Sequence, residues 1–192
     1  MKQAYIVTEG KTDVEILKKL LPRKVVKFCE FVPGSGGYSA RSLAGTLLAV
    51  KQLPVALVLD TDTVDESIVR EKVDFAREWL RQASGGVRFE VFPAVPEIEV
   101  VFFQDRCFVE SLVDRTLTDT EWKLAKFHPK EALTNVLGNH ASLQKNLLGK
   151  LTDKSIHALQ QHSLIVNISE FLSKYSQSKK STENRIASRE IA

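Results

Sequence analysis

At 192 residues with 43% hydrophobic side chains, the chain can hold one large domain with a small appendage around a sizeable core. No apolar run approaches the ~20 residues needed to span a bilayer, and the opening Met1-Lys2-Gln3-Ala4-Tyr5 leads into an apolar run that ends at Glu9, too short for a signal peptide. The net charge is only +3, and Cys29 and Cys107 lie far apart in no metal-ligand spacing, so reduced thiols, no membrane partner and a cytoplasmic location are expected.

In chain order, residues 3–9 read as a strand and 12–21 as a helix with Val14, Leu17, Leu20 and Leu21 on one face. Thr12 or Asp13 can cap that helix, and Pro22 ends it. Residues 24–32 form a second strand-like run. Pro33-Gly34-Ser35-Gly36-Gly37 follows as a loop, then a helix over 39–52. Residues 54–59 are an almost wholly apolar strand, as a central parallel strand covered on both faces would be. A charged helix spans about 65–83, closed by Ser84-Gly85-Gly86, and residues 87–92 read as a fourth strand. The β-α-β-α-β-α-β order predicts an α/β domain with a mostly parallel sheet.

After Pro96 the spacing is helical over 97–114, 119–127, 129–137, 141–150 and 153–174. The division expected is an α/β domain over 1–114, a helical appendage over 115–175, and a polar tail over 176–192 too poor in apolar residues to order itself. Leu133, Val136, Leu137, Leu147, Leu148 and Leu151 suit either core or a homodimer interface, with core the expectation.

Charge is unevenly spread. Residues 115–192 carry 12 Lys+Arg and 7 Asp+Glu, leaving 15 of the 27 and 17 of the 24 in residues 1–114. A phosphodiester enzyme needs carboxylates for an ion and cations for the backbone. Ordinary surface charge would give the same totals.

Two apolar runs end abruptly in carboxylates: Tyr5-Ile6-Val7-Thr8-Glu9-Gly10-Lys11-Thr12-Asp13 and Val58-Leu59-Asp60-Thr61-Asp62. Residues just past the carboxyl ends of parallel strands share one ligand-binding edge. Glu9, Asp60 and Asp62 are therefore expected to converge, and hard oxygen ligands suit Mg²⁺ or Mn²⁺. Glu9 can also act as a general acid/base, or simply assist the following helix N-terminus. Gly10 allows a tight turn. Asp60 and Asp62 can reach one cation from one strand end, or belong to a solvated turn, with Asp65 competing as the helix cap. Gly10-Lys11-Thr12 is not a P-loop, because the glycine required five residues earlier is Tyr5.

Glu9-Gly10-x-x-Asp13, a glycine-rich loop and a hydrophobic strand into Asp60-x-Asp62 together resemble a Toprim domain, over roughly residues 3–110. The family spans topoisomerases, bacterial primases, recombination-mediator RecR proteins and OLD-family nucleases. The resemblance implies a Rossmannoid α/β fold, Mg²⁺ bound through Glu9, Asp60 and Asp62, and a glutamate that handles protons during strand cutting. Pro93-Ala94-Val95-Pro96-Glu97-Ile98-Glu99 resembles the Pro-x-Ile-Glu segment of the OLD-like branch, which implies a further metal ligand at Glu99, with Glu97 beside it. OLD-like enzymes use a lysine downstream of the acidic cluster. Lys130 is the candidate here, with Lys154 behind it, and Asp13 and Gly10 support the Glu9 turn.

The chain departs from other branches. No tyrosine has a topoisomerase context, two cysteines cannot build a RecR-like zinc site, and Asp65 stands where Asp-x-Asp-x-x-Gly requires glycine. The function expected is a metal-dependent nuclease on DNA or RNA. The alternatives are a non-catalytic or partner-activated nucleic-acid or protein-binding module working with a separate ATPase, and an enzyme of small nucleotides. The loop 33–38 and Arg41 are candidate phosphate contacts, against a plain connector and a surface arginine. His128, His140, His157 and His162 show no ligand spacing.

Overall fold

Four short runs rich in branched and aromatic residues pair into one sheet in the computed structural model, which describes residues 2–137 and 147–175. The strands are β1 (Ala4–Thr8), β2 (Cys29–Pro33), β3 (Val55–Asp60) and β4 (Phe89–Ala94). Their order is β2-β1-β3-β4, and every neighbouring pair is parallel. The fold is α/β, as the alternation of elements predicts.

Strand periodicity sorts the core into two layers. Val7, Leu57, Leu59 and Val91 face α3 (Gly37–Lys51) and α4 (Glu66–Ser84), meeting Ala40, Ala44, Leu48, Ala76 and Leu80. Ala4, Ile6, Ala56, Val58 and Phe92 face the other way, into a cluster with α1 (Lys11–Leu20). Successive side chains on a strand point to opposite faces, so a strand covered on both sides reads as a continuous apolar run.

The second cluster continues into the C-terminal half. A 3₁₀ helix (Ile98–Gln104), α5 (Arg106–Val113), α6 (Asp119–Ala125), α7 (Pro129–Leu137), α8 (Asp153–Leu159) and α9 (Ser163–Ser173) follow β4. Phe102, Leu133, Leu147, Leu159, Ile165 and Ile168 are buried in the same cluster as Ile6 and Val58. Leu151 is buried there and Leu148 packs against it, so these leucines serve the core. The Gln160 side-chain amide donates to the Leu20 carbonyl at 2.9 Å, tying the α8–α9 turn to the end of α1. No helix among the described residues is long and apolar enough to cross a membrane.

β4 runs two residues later than the expected 87–92, and three expected elements are divided differently. Residues 24–32 are not one strand: α2 (Arg23–Phe28) precedes β2. Pro22, which ends α1, also opens α2, its carbonyl accepting from the Val26 amide at 3.2 Å. The helix expected over 97–114 breaks at Asp105, whose carboxylate caps α5 by accepting from the Phe108 amide at 3.0 Å. The helix expected over 153–174 breaks before His162, whose ring caps α9. In the last two cases a side-chain cap outweighs the longer-range apolar periodicity. Residues 141–146 of the expected 141–150 helix, His140 and the 176–192 tail lie outside the described residues.

Candidate active site

From β1 the chain moves outward to β2, then crosses back to β3 and on to β4. The connections leaving β1 and β3 therefore run in opposite directions, and the carboxyl ends of these two strands form the crevice where open α/β sheets take ligands. Glu9 follows β1 directly and Asp60 is the last residue of β3. The pairing of Val7 with Leu57 brings them level. The Asp60 amide donates to Glu9 Oε1 at 3.0 Å, and the Ile98 amide donates to Asp60 Oδ1 at 3.0 Å. Two strand ends and the start of the 3₁₀ helix thus meet at two carboxylates.

Two more acids join them. Asp13, in the first turn of α1, is 8% exposed and accepts from the Gly10 amide at 3.0 Å. Glu99 is 6% exposed, and among the described residues its buried Oε2 has no hydrogen-bond partner. Burial in a low-polarity setting penalises a lone carboxylate. All four carboxyls are held above the ordinary range, with burial the first cause in each. Asp60 is pushed up to about 8, first by burial and then by Asp13, Glu99 and Glu9. The Lys130 charge pulls Asp13 and Glu99 the other way, and Arg41 does the same for Glu9. Lys130 itself is exposed at the start of α7, where its amide donates to Glu97 Oε2 at 3.2 Å.

Asp62 sits differently. Its φ of 53° lies in the left-handed region, which Asp tolerates better than most residues. The Thr61 and Asp62 amides donate to the Pro96 carbonyl at 2.8 and 2.9 Å, curling the chain away from the strand line. The Asp62 side chain is 74% exposed and pairs with Lys72 at 3.2 Å. Lys72 also donates to the Thr61 carbonyl. Asp65, not Asp62, caps α4, accepting from Ser67 and Ile68. Asp62 still raises the Glu9 carboxyl through its charge.

The glycine-rich loop has a tighter task than the sequence indicates. The Gly34 amide donates to the Thr8 carbonyl at 2.8 Å and the Gly36 amide to the Glu9 carbonyl at 3.0 Å, so these two amides are spent on β1 and its exit. A Cβ on Gly37 would stand 3.2 Å from Glu9 Oε1. The loop therefore cradles Glu9, a role hidden because the contact joins residues 28 apart. Lys154 is exposed on α8, and His128 and His157 are exposed. Reading the sequence also passes over Lys72, whose partner becomes visible only once the Asp62 turn is formed.

The donor chemistry fits a hard divalent cation: several carboxylates repel one another, and among the described residues one buried oxygen of the cluster has no hydrogen-bond partner. The fit is one of chemistry and not of a finished cage. Among the described residues, no three Asp, Glu, His or Cys side chains are grouped so as to hold a metal ion. Two clefts flank the cluster. One, of about 540 Å³, includes Glu97, His128 and Lys130 in its lining. The other, of about 780 Å³, includes Glu9, Asp60, Tyr38 and Arg41. Asp62 borders both.

No protein-family model matches the chain, and no curated protein matches it. Among solved structures, it is similar to the C-terminal region of the OLD protein of Xanthomonas campestris pv. campestris. The TM-score is 0.40 and the identity 11%, over 90% of this chain and 97% of that one. A likeness this distant assigns neither family nor activity.

Proposed function

We propose that the chain is an OLD-like Toprim protein that hydrolyses phosphodiester bonds in DNA or RNA with Mg²⁺ or Mn²⁺. The observation that carries this reading is the carboxylate cluster at the switch point, with Asp60 pushed up to about 8 by burial and by Asp13, Glu99 and Glu9. Like charges gathered in a desolvated crevice either take up protons or gather a cation. The Glu-Gly-x-x-Asp and Asp-x-Asp motifs that supply the cluster support the Toprim assignment.

Asp60, Glu99 through its orphaned Oε2, Glu9 and Asp62 are the proposed ligands, with Glu97 beside a second ion. A bound divalent ion would polarise the phosphate and lower the pKa of a water. Glu9 is the proposed acid/base group. Its Oε1 is fixed by the Asp60 amide, and burial raises its carboxyl above the ordinary value, the direction that favours holding a proton. Asp13 holds the Gly10 turn from which Glu9 projects. Lys130 supplies positive charge to the phosphate as negative charge develops. The test is cleavage of plasmid DNA and a structured RNA by purified protein with Mg²⁺, Mn²⁺ or EDTA, with Asp60→Asn beside it. Metal-dependent cutting lost in the variant supports the reading, and full activity in the variant overturns it.

One observation favours a second reading, a module activated by a separate ATPase partner. The carboxylates crowd together without forming a closed cage. A partner that drew Asp62 off Lys72 would complete the donor set. Divalent-ion binding without cleavage by the isolated chain would favour this version.

A further inference from the structure

Apolar side chains gather in the open on the α3–α4 side of the acidic crevice. Tyr38 is 72% exposed and Phe75 58% exposed, and Trp79 is exposed beside them. Tyr38 follows Gly37, the residue packed against the Glu9 carboxylate. Arg41 lies one helical turn on, with its guanidinium 5.7 Å from the centre of the Phe75 ring. The Phe75 and Trp79 ring centres are 6.4 Å apart. Tyr38, Arg41 and Phe75 line the same cleft as Glu9 and Asp60. Its volume of about 780 Å³ falls within the range of about 300–1,000 Å³ typical of ligand sites. Exposed aromatics grouped at the rim of a site mark a contact surface, whereas scattered ones do not.

The charges around this strip narrow the choice of occupant. Glu71 and Asp74 line the cleft together with Glu9 and Asp60, Lys72 is engaged by Asp62, and Arg77 stands 3.9 Å from Asp74. Such walls give a phosphate backbone little attraction away from the cation site. Affinity here must come from ring faces and from the Arg41 plane, both of which stack on bases. A duplex hides its base faces, and a single strand offers them.

We infer that Tyr38, Arg41 and Phe75 form a stacking platform that selects single-stranded nucleic acid, or unpaired ends and loops, and lays the strand across the acidic crevice. This rests on the nuclease reading and adds the substrate class. The strand's bases lie against the α3–α4 rim, and the phosphate following them reaches Glu9 and Asp60.

The test is fluorescence anisotropy with labelled single-stranded DNA, single-stranded RNA and blunt duplexes of matching sequence, in Ca²⁺ so that the acids are screened, with gels run to confirm that the strands stay intact. The wild-type chain is compared with Tyr38→Ala, Phe75→Ala and Phe75→Trp, each checked for an unchanged melting temperature. The expected result is tighter binding of single strands than of duplex, weakened about tenfold by either alanine and retained by tryptophan. Equal affinity for duplex and single strand would overturn the inference. So would single-strand binding untouched by both alanine variants, or no single-strand binding at all, which together with a dimer that Phe75→Ala dissolves would make the face a protein interface. Failure of the nuclease reading looks different: single strands bind, the alanine variants lose them, and no metal permits cutting.

Discussion

Asp60 and Asp62 stand two residues apart at one strand end and belong to different regions. Asp60 lies in the inner crevice, fixed by the Ile98 amide and pressed by three other acids. Asp62 lies on the rim, exposed and matched by Lys72. Among the described residues the inner acids make no direct ion pair, and Lys130 and Arg41 act on them only through their charge, while the rim acid is paired with Lys72. A buried charge without a partner is costly, whereas an exposed ion pair contributes only about 0–1 kcal/mol. The proposed cation would therefore stabilise the inner region more than the rim.

The sharpest way to break this distinction is to neutralise each region separately. Asp60→Asn or Glu9→Gln should lower Mg²⁺-dependent cleavage at least about a hundredfold, since even supporting residues around metals cost about 10–100-fold. Asn can still accept from the Ile98 amide, so the melting temperature without metal should hold or rise. Equal loss of folding and activity would place the effect in stability.

The next effect is on stability and its pH dependence. The Asp60 carboxyl sits at about 8 in the fold against an ordinary 3.8, so between those values the folded chain holds the proton that the unfolded chain has released. Glu9, Asp13 and Glu99 shift in the same direction. The contribution to stability is full below the ordinary carboxylate range, falls as pH rises, and is lost above about pH 8. The loss in metal-free protein should be on the order of a few kcal/mol. Mg²⁺ favours the ionised form, so it should raise the melting temperature more at about pH 8 than at about pH 5. Asp60→Asn should flatten both trends. Calorimetric melting across pH, with Mg²⁺ and with EDTA, reads this directly.

Smaller effects sharpen the same contrast. Gly37→Ala puts a methyl 3.2 Å from Glu9 Oε1 and should cut cleavage by about tenfold with little loss of stability. Asp62→Asn should cost activity less than Asp60→Asn does, and stability by less than about 1 kcal/mol. A loss of cleavage equal to that of Asp60→Asn would show that the rim acid holds the ion as firmly as the crevice does.

Much of the sheet was legible because β1, β3 and β4 are apolar runs closed by carboxylates or turn residues. β2 was blurred because Val25 and Val26 look like strand residues, while Pro22 and burial of Val25 make that turn helical. The break at Asp105 was missed because that residue sits inside a stretch of helical periodicity. At the site, Glu9, Asp13, Asp60 and Glu99 could be picked out as acids at strand ends and helix starts. Their meeting depends on register and strand order. The separation of Asp62 from Asp60 was not legible, because it follows from a left-handed residue, two amides on the Pro96 carbonyl and a lysine ten residues on. The Gly37–Glu9 and Arg41–Phe75 contacts likewise arise only when the elements pack.

The most direct measurement is calorimetric titration of the metal-free chain with Mn²⁺, for wild type, Asp60→Asn and Asp62→Asn. Saturable binding with proton release is expected in wild type, abolished by Asp60→Asn and only weakened by Asp62→Asn. Binding unaffected by Asp60→Asn, or no binding in wild type, would contradict a cation site in the inner crevice.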